Sequence, residues 1–164
     1  MSTATTILAP LVVEPGQSRT GAPIELTGHS IDIKALGEDT GGQFAIGFLT
    51  APPMTGPPLH VHSREDEWFY VLKGELLFQV GDEFIVAGPG TSLFAPRDIP
   101  HTWQNFGPET VEAIGLITPP DAQGFFLDSR TLRQDVATLG ALGTRYGIRL
   151  VGPPLTNPSQ KIKN

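Results

Sequence analysis

From Ile24 onward the chain alternates short runs rich in β-branched and aromatic residues with clusters of Gly, Pro, Asn and Asp. Such runs are strand-length rather than helix-length, and the clusters between them are turn formers. The pattern predicts strands over residues 30–35, 43–50, 58–62, 67–73, 75–80, 83–87, 91–95, 101–105 and 111–118. Gly41-Gly42, Gly81-Asp82, Gly88-Pro89-Gly90, Asn105-Phe106-Gly107-Pro108 and Pro119-Pro120 mark turns between them. Many short strands at regular spacing indicate an all-β barrel or sandwich. Helical periodicity comes only late, where Leu132, Val136 and Leu139 fall on one stripe. Asp128 or Ser129 can cap that helix, and Gly140 and Gly143 are its expected stops. Residues 146–151 are expected to return to the body.

The 164 residues suit one domain, which at this size buries roughly 70% of its unfolded surface. The expected organisation is a partly flexible segment over 1–20, a single barrel with its C-terminal helix over 21–151, and a flexible tail over 152–164. The run from Glu67 to Leu72 is apolar on both faces, with Phe69 and Val71 on one and Trp68, Tyr70 and Leu72 on the other. A strand with one wet face would alternate. Either the N-terminal segment or a second subunit is the expected cover, and a homodimer is the expected assembly.

Charge narrows the partners. The net charge is -6 and there is no run of Lys or Arg, which argues against nucleic acid and acidic membrane surfaces. The N-terminus lacks the basic start of a signal peptide, and no stretch approaches the ~20 apolar residues of a membrane span. The chain has no cysteine, which removes disulfides, thiolate ligands and thiol nucleophiles. A cytoplasmic location is the expectation, with a small molecule as partner.

The candidate chemistry lies in two segments that hold three of the four histidines. His60 and His62 are two apart, so in a strand they share a face with Cα atoms about 6.5 Å apart. Two imidazoles so placed can converge on one ion at bonds of ~2.1 Å. His101 follows the loop from Pro96 to Pro100 and opens a strand. A carboxylate stands nearby, but Ser63 to Asp66 reads as a turn that resets the strand phase. Periodicity therefore leaves Glu65, Asp66 and Glu67 open. Trp103, two residues beyond His101 and on its face, is the leading pocket candidate. Phe69 and Phe78 are further candidates, and the alternation of Phe44, Ile46 and Phe48 suggests an inner wall. His29 fits no pattern and is expected at the surface or in a loop. Asn105 is expected to be a turn residue.

The first segment resembles the first conserved motif of the cupins: His60-x-His62, four residues, Glu67, six residues, Gly74. The second resembles the other cupin motif through Gly90, Pro96, His101 and Asn105, with Asp98 standing where the family carries Gly. More loosely, residues 14–155 are similar to quercetin 2,3-dioxygenase-like monocupins, in Glu14-Pro-Gly16, Asp39-Thr-Gly-Gly42, Pro57-Pro58, Tyr146-Gly147 and Gly152-Pro153-Pro154. The resemblance implies an all-β cupin jelly-roll β-barrel with a short C-terminal helical segment. It implies one divalent metal held by His60, His62, Glu67 and His101, and it selects Glu67 among its neighbours.

Three imidazoles and a carboxylate suit Fe, Mn, Ni, Co, Cu or Zn. The expected activity is that of a metal-dependent dioxygenase acting on a flavonol-like or other small aromatic or enolisable substrate. Glu67 would be the catalytic proton acceptor, and Phe44, Phe48, Phe69, Phe78 and Trp103 the substrate pocket. Non-redox isomerase, cyclase or lyase chemistry on the same metal is an alternative, and so is small-molecule binding without turnover.

Overall fold

The structure, a computed structural model, describes residues 9–156. Eleven strands form two antiparallel sheets that pack face to face. One sheet has the order β1-β2-β3-β10-β5-β8, with β1 Ile24–Leu26, β2 His29–Ala35, β3 Ala45–Ala51, β5 Asp66–Lys73, β8 Ser92–Ala95 and β10 Val111–Thr118. The other has the order β11-β4-β9-β6-β7, with β4 His60–His62, β6 Leu76–Val80, β7 Glu83–Ala87, β9 His101–Gln104 and β11 Ile148–Leu150. Every strand read from the sequence is present, and β1 and β11 are additional.

The pleat decides which side chains meet between the sheets. On β5, Glu67, Phe69 and Val71 point inward and are buried, while Asp66, Trp68 and Tyr70 take the other face. On β3 the buried set is Ala45, Leu49 and Ala51. Phe48 therefore falls on the outer face, where Lys34 Nζ lies 6.0 Å from its ring centroid. Phe44 precedes the strand. Of the wall expected from Phe44, Ile46 and Phe48, the two phenylalanines lie off the central cavity, while Ile46 is among the residues that line it. Phe78 is 2% exposed in the main core beside Leu49, Phe69, Val71 and Trp103. The outer face of β5 and β8 stays accessible, with Leu72 41% and Phe94 58% exposed.

Two helices follow β10: α1 Gln123–Ser129 and α2 Val136–Arg145. This corrects the expected single helix. Asp135, not Asp128 or Ser129, caps α2 through a 2.9 Å hydrogen bond from Thr138 N. Leu132 lies outside both helices. Gly140 and Gly143 sit inside α2 rather than ending it, because that face lies on β11. A Cβ at Gly140 would meet Leu150 Cδ1 at 3.0 Å, and one at Gly143 would meet Ile148 O at 3.1 Å. The small residues set the distance between helix and strand.

The terminal expectations fall partly on residues 1–8 and 157–164, which lie outside the described residues. Within them, Arg19 N donates to Ile33 O at 2.7 Å, and the Arg19 guanidinium meets Asp39 at 3.0 Å. Beyond β11, Gly152 N donates to Leu59 O and Leu59 N to Pro153 O, each at 3.2 Å. Both flanks thus engage the body. No helix of the described residues is long and apolar enough to cross a membrane.

Candidate metal centre

Two adjacent strands bring the histidines together. His60 and His62 are the ends of β4, and His60 is the register partner of His101 at the start of β9. Ring centroids are 5.2 Å apart for His60–His62, 4.7 Å for His60–His101 and 5.5 Å for His62–His101. Glu67 reaches the same point from β5, in the opposite sheet. Its Oε2 is 3.1 Å from His101 Nε2 and its Oε1 is 3.7 Å from His62 Nε2.

Each imidazole is oriented by what its other nitrogen does. His60 Nδ1 lies 2.8 Å from Pro58 O, and His101 Nδ1 lies 2.9 Å from Ile99 O. A carbonyl oxygen can only accept, so both Nδ1 atoms carry hydrogen. His62 Nδ1 donates to Glu65 Oε2 at 3.0 Å, with both side chains essentially inaccessible. In the neutral rings this leaves three Nε2 lone pairs for an ion, the outer-shell arrangement of metal-binding histidines.

The donor set fits an ion. One ligand atom from each of His60, His62, Glu67 and His101 can be chosen so that all lie within 4.8 Å of one another. Donors on opposite sides of an ion are about 4.2 Å apart at bonds of ~2.1 Å, so closure needs shifts of tenths of an ångström. Mixed imidazole and carboxylate ligands accommodate several divalent metals.

Protonation follows from the same contacts. Burial works to raise the Glu67 carboxyl, but the charges of His62 and His101 and the His101 hydrogen bond outweigh it and hold it at about 2. Burial works to lower His101, but its hydrogen bond to Glu67 and that carboxylate's charge raise it above the usual imidazole value. Burial, with the charges of His101 and His62 added, pushes His60 down to about 3. Glu67 is thus ionised and His60 neutral at neutral pH, and an ion would take the place of the proton shared by His101 and Glu67.

The carboxylates left open by periodicity have three separate placements. Glu65 is fully buried behind His62. Asp66 points away and binds Arg97, whose backbone N donates at 2.8 Å and whose Nε and Nη2 donate at 3.0 and 2.8 Å. Those bonds hold the Asp66 carboxyl down at about 2. Glu67 faces the cluster. Asn105 is a fully buried staple, with Nδ2 donating to Ala51 O and Glu109 O at 2.8 Å and Oδ1 accepting from Gly107 N at 2.9 Å. Asp98, in the loop before His101, has φ of 64° and donates its backbone N–H to His62 O at 2.8 Å. The turn suited to glycine is kept without it.

A cavity of about 160 Å³ opens on the cluster through His60, His62 and Glu67. Its other walls are mostly apolar, including Leu49, Phe69 and Trp103 from the sheets and Phe126 and Leu139 from the helices, with Thr27, His29 and Gln123 as polar members. Phe69 and Trp103 therefore stand where the sequence placed them, whereas Phe44, Phe48 and Phe78 do not line it. His29 also contradicts its expectation. It is 4% exposed, lines the cavity, and meets the Trp103 ring edge-on at 4.9 Å between centroids. No local signal marks it, because its neighbours come from strands distant in sequence.

The sequence model of the cupin domain matches residues 47–117. No curated protein matches the sequence. Among solved structures, a predicted oxalate decarboxylase from Thermotoga maritima superposes with a TM-score of 0.58 at 20% identity, covering 66% of this chain and 98% of its own. An RmlC-like cupin from Shewanella frigidimarina gives 0.57 at 17% identity, covering 68% and 92%. KdgF from Halomonas sp. gives 0.51 at 22% identity, covering 56% and 79%. Likeness at these identities carries the fold and not the chemistry. Residues 47–117 match the cupin domain, and they sit in a two-sheet sandwich of the cupin type that carries a His/Glu cluster able to bind a metal ion.

Proposed function

We propose that the protein is a metal-dependent dioxygenase acting on a small, largely apolar molecule with an enolisable or phenolic oxygen. The carrying observation is the cavity wall. Among the described residues, none of the side chains lining it is Lys or Arg. A structural neighbour is described as a predicted oxalate decarboxylase and another as a sugar phosphate isomerase. Beyond the ion itself, dianionic oxalate or a phosphorylated sugar would meet an apolar wall with no Lys or Arg to take its remaining charge, which is costly. A planar, weakly acidic substrate suits it.

A divalent ion bound by His60, His62, Glu67 and His101 would act as a Lewis acid that lowers the pKa of a substrate hydroxyl. The protein's residues do the rest. Phe69, Trp103 and the aliphatic wall hold the substrate ring and exclude water. Pro58, Ile99 and Glu65 fix the three imidazoles. Glu67 is the carboxylate on the cavity wall, so accepting the substrate proton falls to it; its Oε1 lies beyond hydrogen-bond length of His62. In C–C cleavage both atoms of dioxygen enter the product, so no external reductant is required.

Oxygen uptake by metal-loaded protein supplied with flavonols or β-diketones tests the proposal. Uptake that matches substrate loss and stops with a chelator is the expected result. Absence of uptake with every metal and both substrate classes refutes it. Turnover with zinc in the absence of oxygen would assign the centre to isomerase, cyclase or lyase chemistry instead. We also propose that a second copy of the chain covers the accessible face of β5 and β8, and a monomer mass in light scattering at micromolar concentration would dismiss that.

A further inference from the structure

We infer that His29 is a ligand-positioning residue, which hydrogen-bonds a second oxygen of a mostly apolar ligand lodged in the cavity beside the metal cluster. The inference deepens the proposed function and rests on its reading of the cavity as a substrate site.

His29 opens β2 directly after a two-residue turn, with Leu26 as its register partner across the hairpin. The turn residues Thr27 and Gly28 have φ of 46° and 97°, the positive values that a tight hairpin with matched twist requires. This geometry places Leu26, Thr27 and His29 together on the cavity wall. Trp103 braces the ring from the facing sheet. The imidazole is thus held by packing and not by hydrogen bonds.

Its polar atoms set it apart from the other histidines. His60, His62 and His101 each have Nδ1 bonded within the protein. His29 Nδ1 is buried and has no hydrogen-bond partner among the described residues. A buried polar nitrogen left without a partner is destabilising, so its retention needs a reason. Burial lowers the ring to about 4, which keeps it uncharged at neutral pH. A neutral imidazole offers one donor and one acceptor. It therefore suits a hydroxyl or a carbonyl and gives no advantage to a carboxylate or phosphate. In a wall of aliphatic and aromatic groups, one such contact fixes orientation. The ligand class that follows is an uncharged or singly charged ring compound with an oxygen for the metal and another for His29.

Phenol and fluorobenzene test this without presupposing a substrate, since they match in shape and differ in the hydroxyl. Zinc-loaded wild-type protein, His29→Phe and His29→Gln are titrated with each, and the imidazole nitrogen resonances of the wild type are followed by NMR. The wild type should prefer phenol, and phenol alone should move the His29 nitrogen signals. His29→Phe should reduce the preference by roughly three- to tenfold, the value of one hydrogen bond, and His29→Gln should restore part of it. Unmoved His29 signals, a preference undiminished in His29→Phe, or failure of both probes to bind would each overturn the inference. The NMR result stands even if His29→Phe does not fold. Phenol preference intact with no oxygen uptake from any substrate would remove the dioxygenase and keep the role of His29; the reverse result would remove His29 and keep the dioxygenase.

Discussion

Glu65 offers the sharpest test of how the metal centre is built. Its Oε2 accepts from His62 Nδ1 at 3.0 Å, with the carboxylate fully buried. Its Oε1 has no partner among the described residues. Removing the side chain thus has opposing effects on the metal-free fold. It leaves a buried N–H without an acceptor, and it removes a buried carboxylate oxygen that is itself unpaired. Each is worth about 1–3 kcal/mol, so folding stability should change little. Metal affinity has no such compensation. The His62 ring loses the contact that fixes its tautomer and raises its basicity, and such outer contacts are worth roughly 10–100-fold in affinity. Glu65→Ala should therefore weaken metal binding by about 1.4–2.7 kcal/mol. Glu65→Gln, whose amide oxygen can still accept, should lose roughly tenfold or less. Competition against a chromophoric chelator at fixed pH reads both, with circular dichroism to establish that the variants are folded. If Glu65→Ala is folded and binds zinc as tightly as the wild type, the hydrogen bond does not orient His62 for the metal.

Metal binding should stabilise the fold. At a free metal concentration near 100 times Kd the gain is about 2.7 kcal/mol, or a Tm rise of roughly 5–10 °C at this chain length, reversed by chelator; an unchanged melting curve refutes the site. In the metal-free protein, burial holds His29 at about 4, below the ~6.5 of an unfolded imidazole. The unfolded chain then binds the extra proton between those values, so the contribution of His29 is full above pH 6.5 and falls by about 3 kcal/mol as pH drops to 4, alongside a decline in the same direction from His60. Urea unfolding across that range should show the combined decline, and His29→Phe should make it shallower by about that amount; identical profiles would place His29 in a polar setting. Asp98 holds φ of 64° without being glycine, so Asp98→Gly should add ~0.5–1 kcal/mol to stability. A lower urea midpoint for that variant would mean the Asp98 side chain contributes more than its backbone costs.

The strand pattern was legible because alternation and turn residues are local. The same property limited the reading to one residue of phase. Glu65, Asp66 and Glu67 are adjacent, and only the turn geometry after His62 determines that one backs the histidine, one binds Arg97 and one meets His101 in the cluster. Phe48 was read on the wrong face for the same reason. Gly140 and Gly143 looked like helix stops because a sequence does not show that a strand will lie against them. His29 was illegible, since its partner Trp103 is 74 positions away, a separation that follows from their numbers, and its strand begins where a hairpin turn ends. The residues that a motif marks, His60, His62, Glu67 and His101, were legible; His29, which meets a distant strand outside any motif, was not.

Ile148 pairs with His62 and Leu150 with His60. The strand that carries two of the candidate metal ligands therefore gains one of its two neighbours from a segment made far later in translation. While a ribosome is still short of residue 150, β4 has an open edge and the face of α2 that carries Gly140 and Gly143 has no strand to rest on. Ion capture during synthesis should wait for that last strand to emerge, so nascent chains stalled before it would be the form most exposed to mispairing.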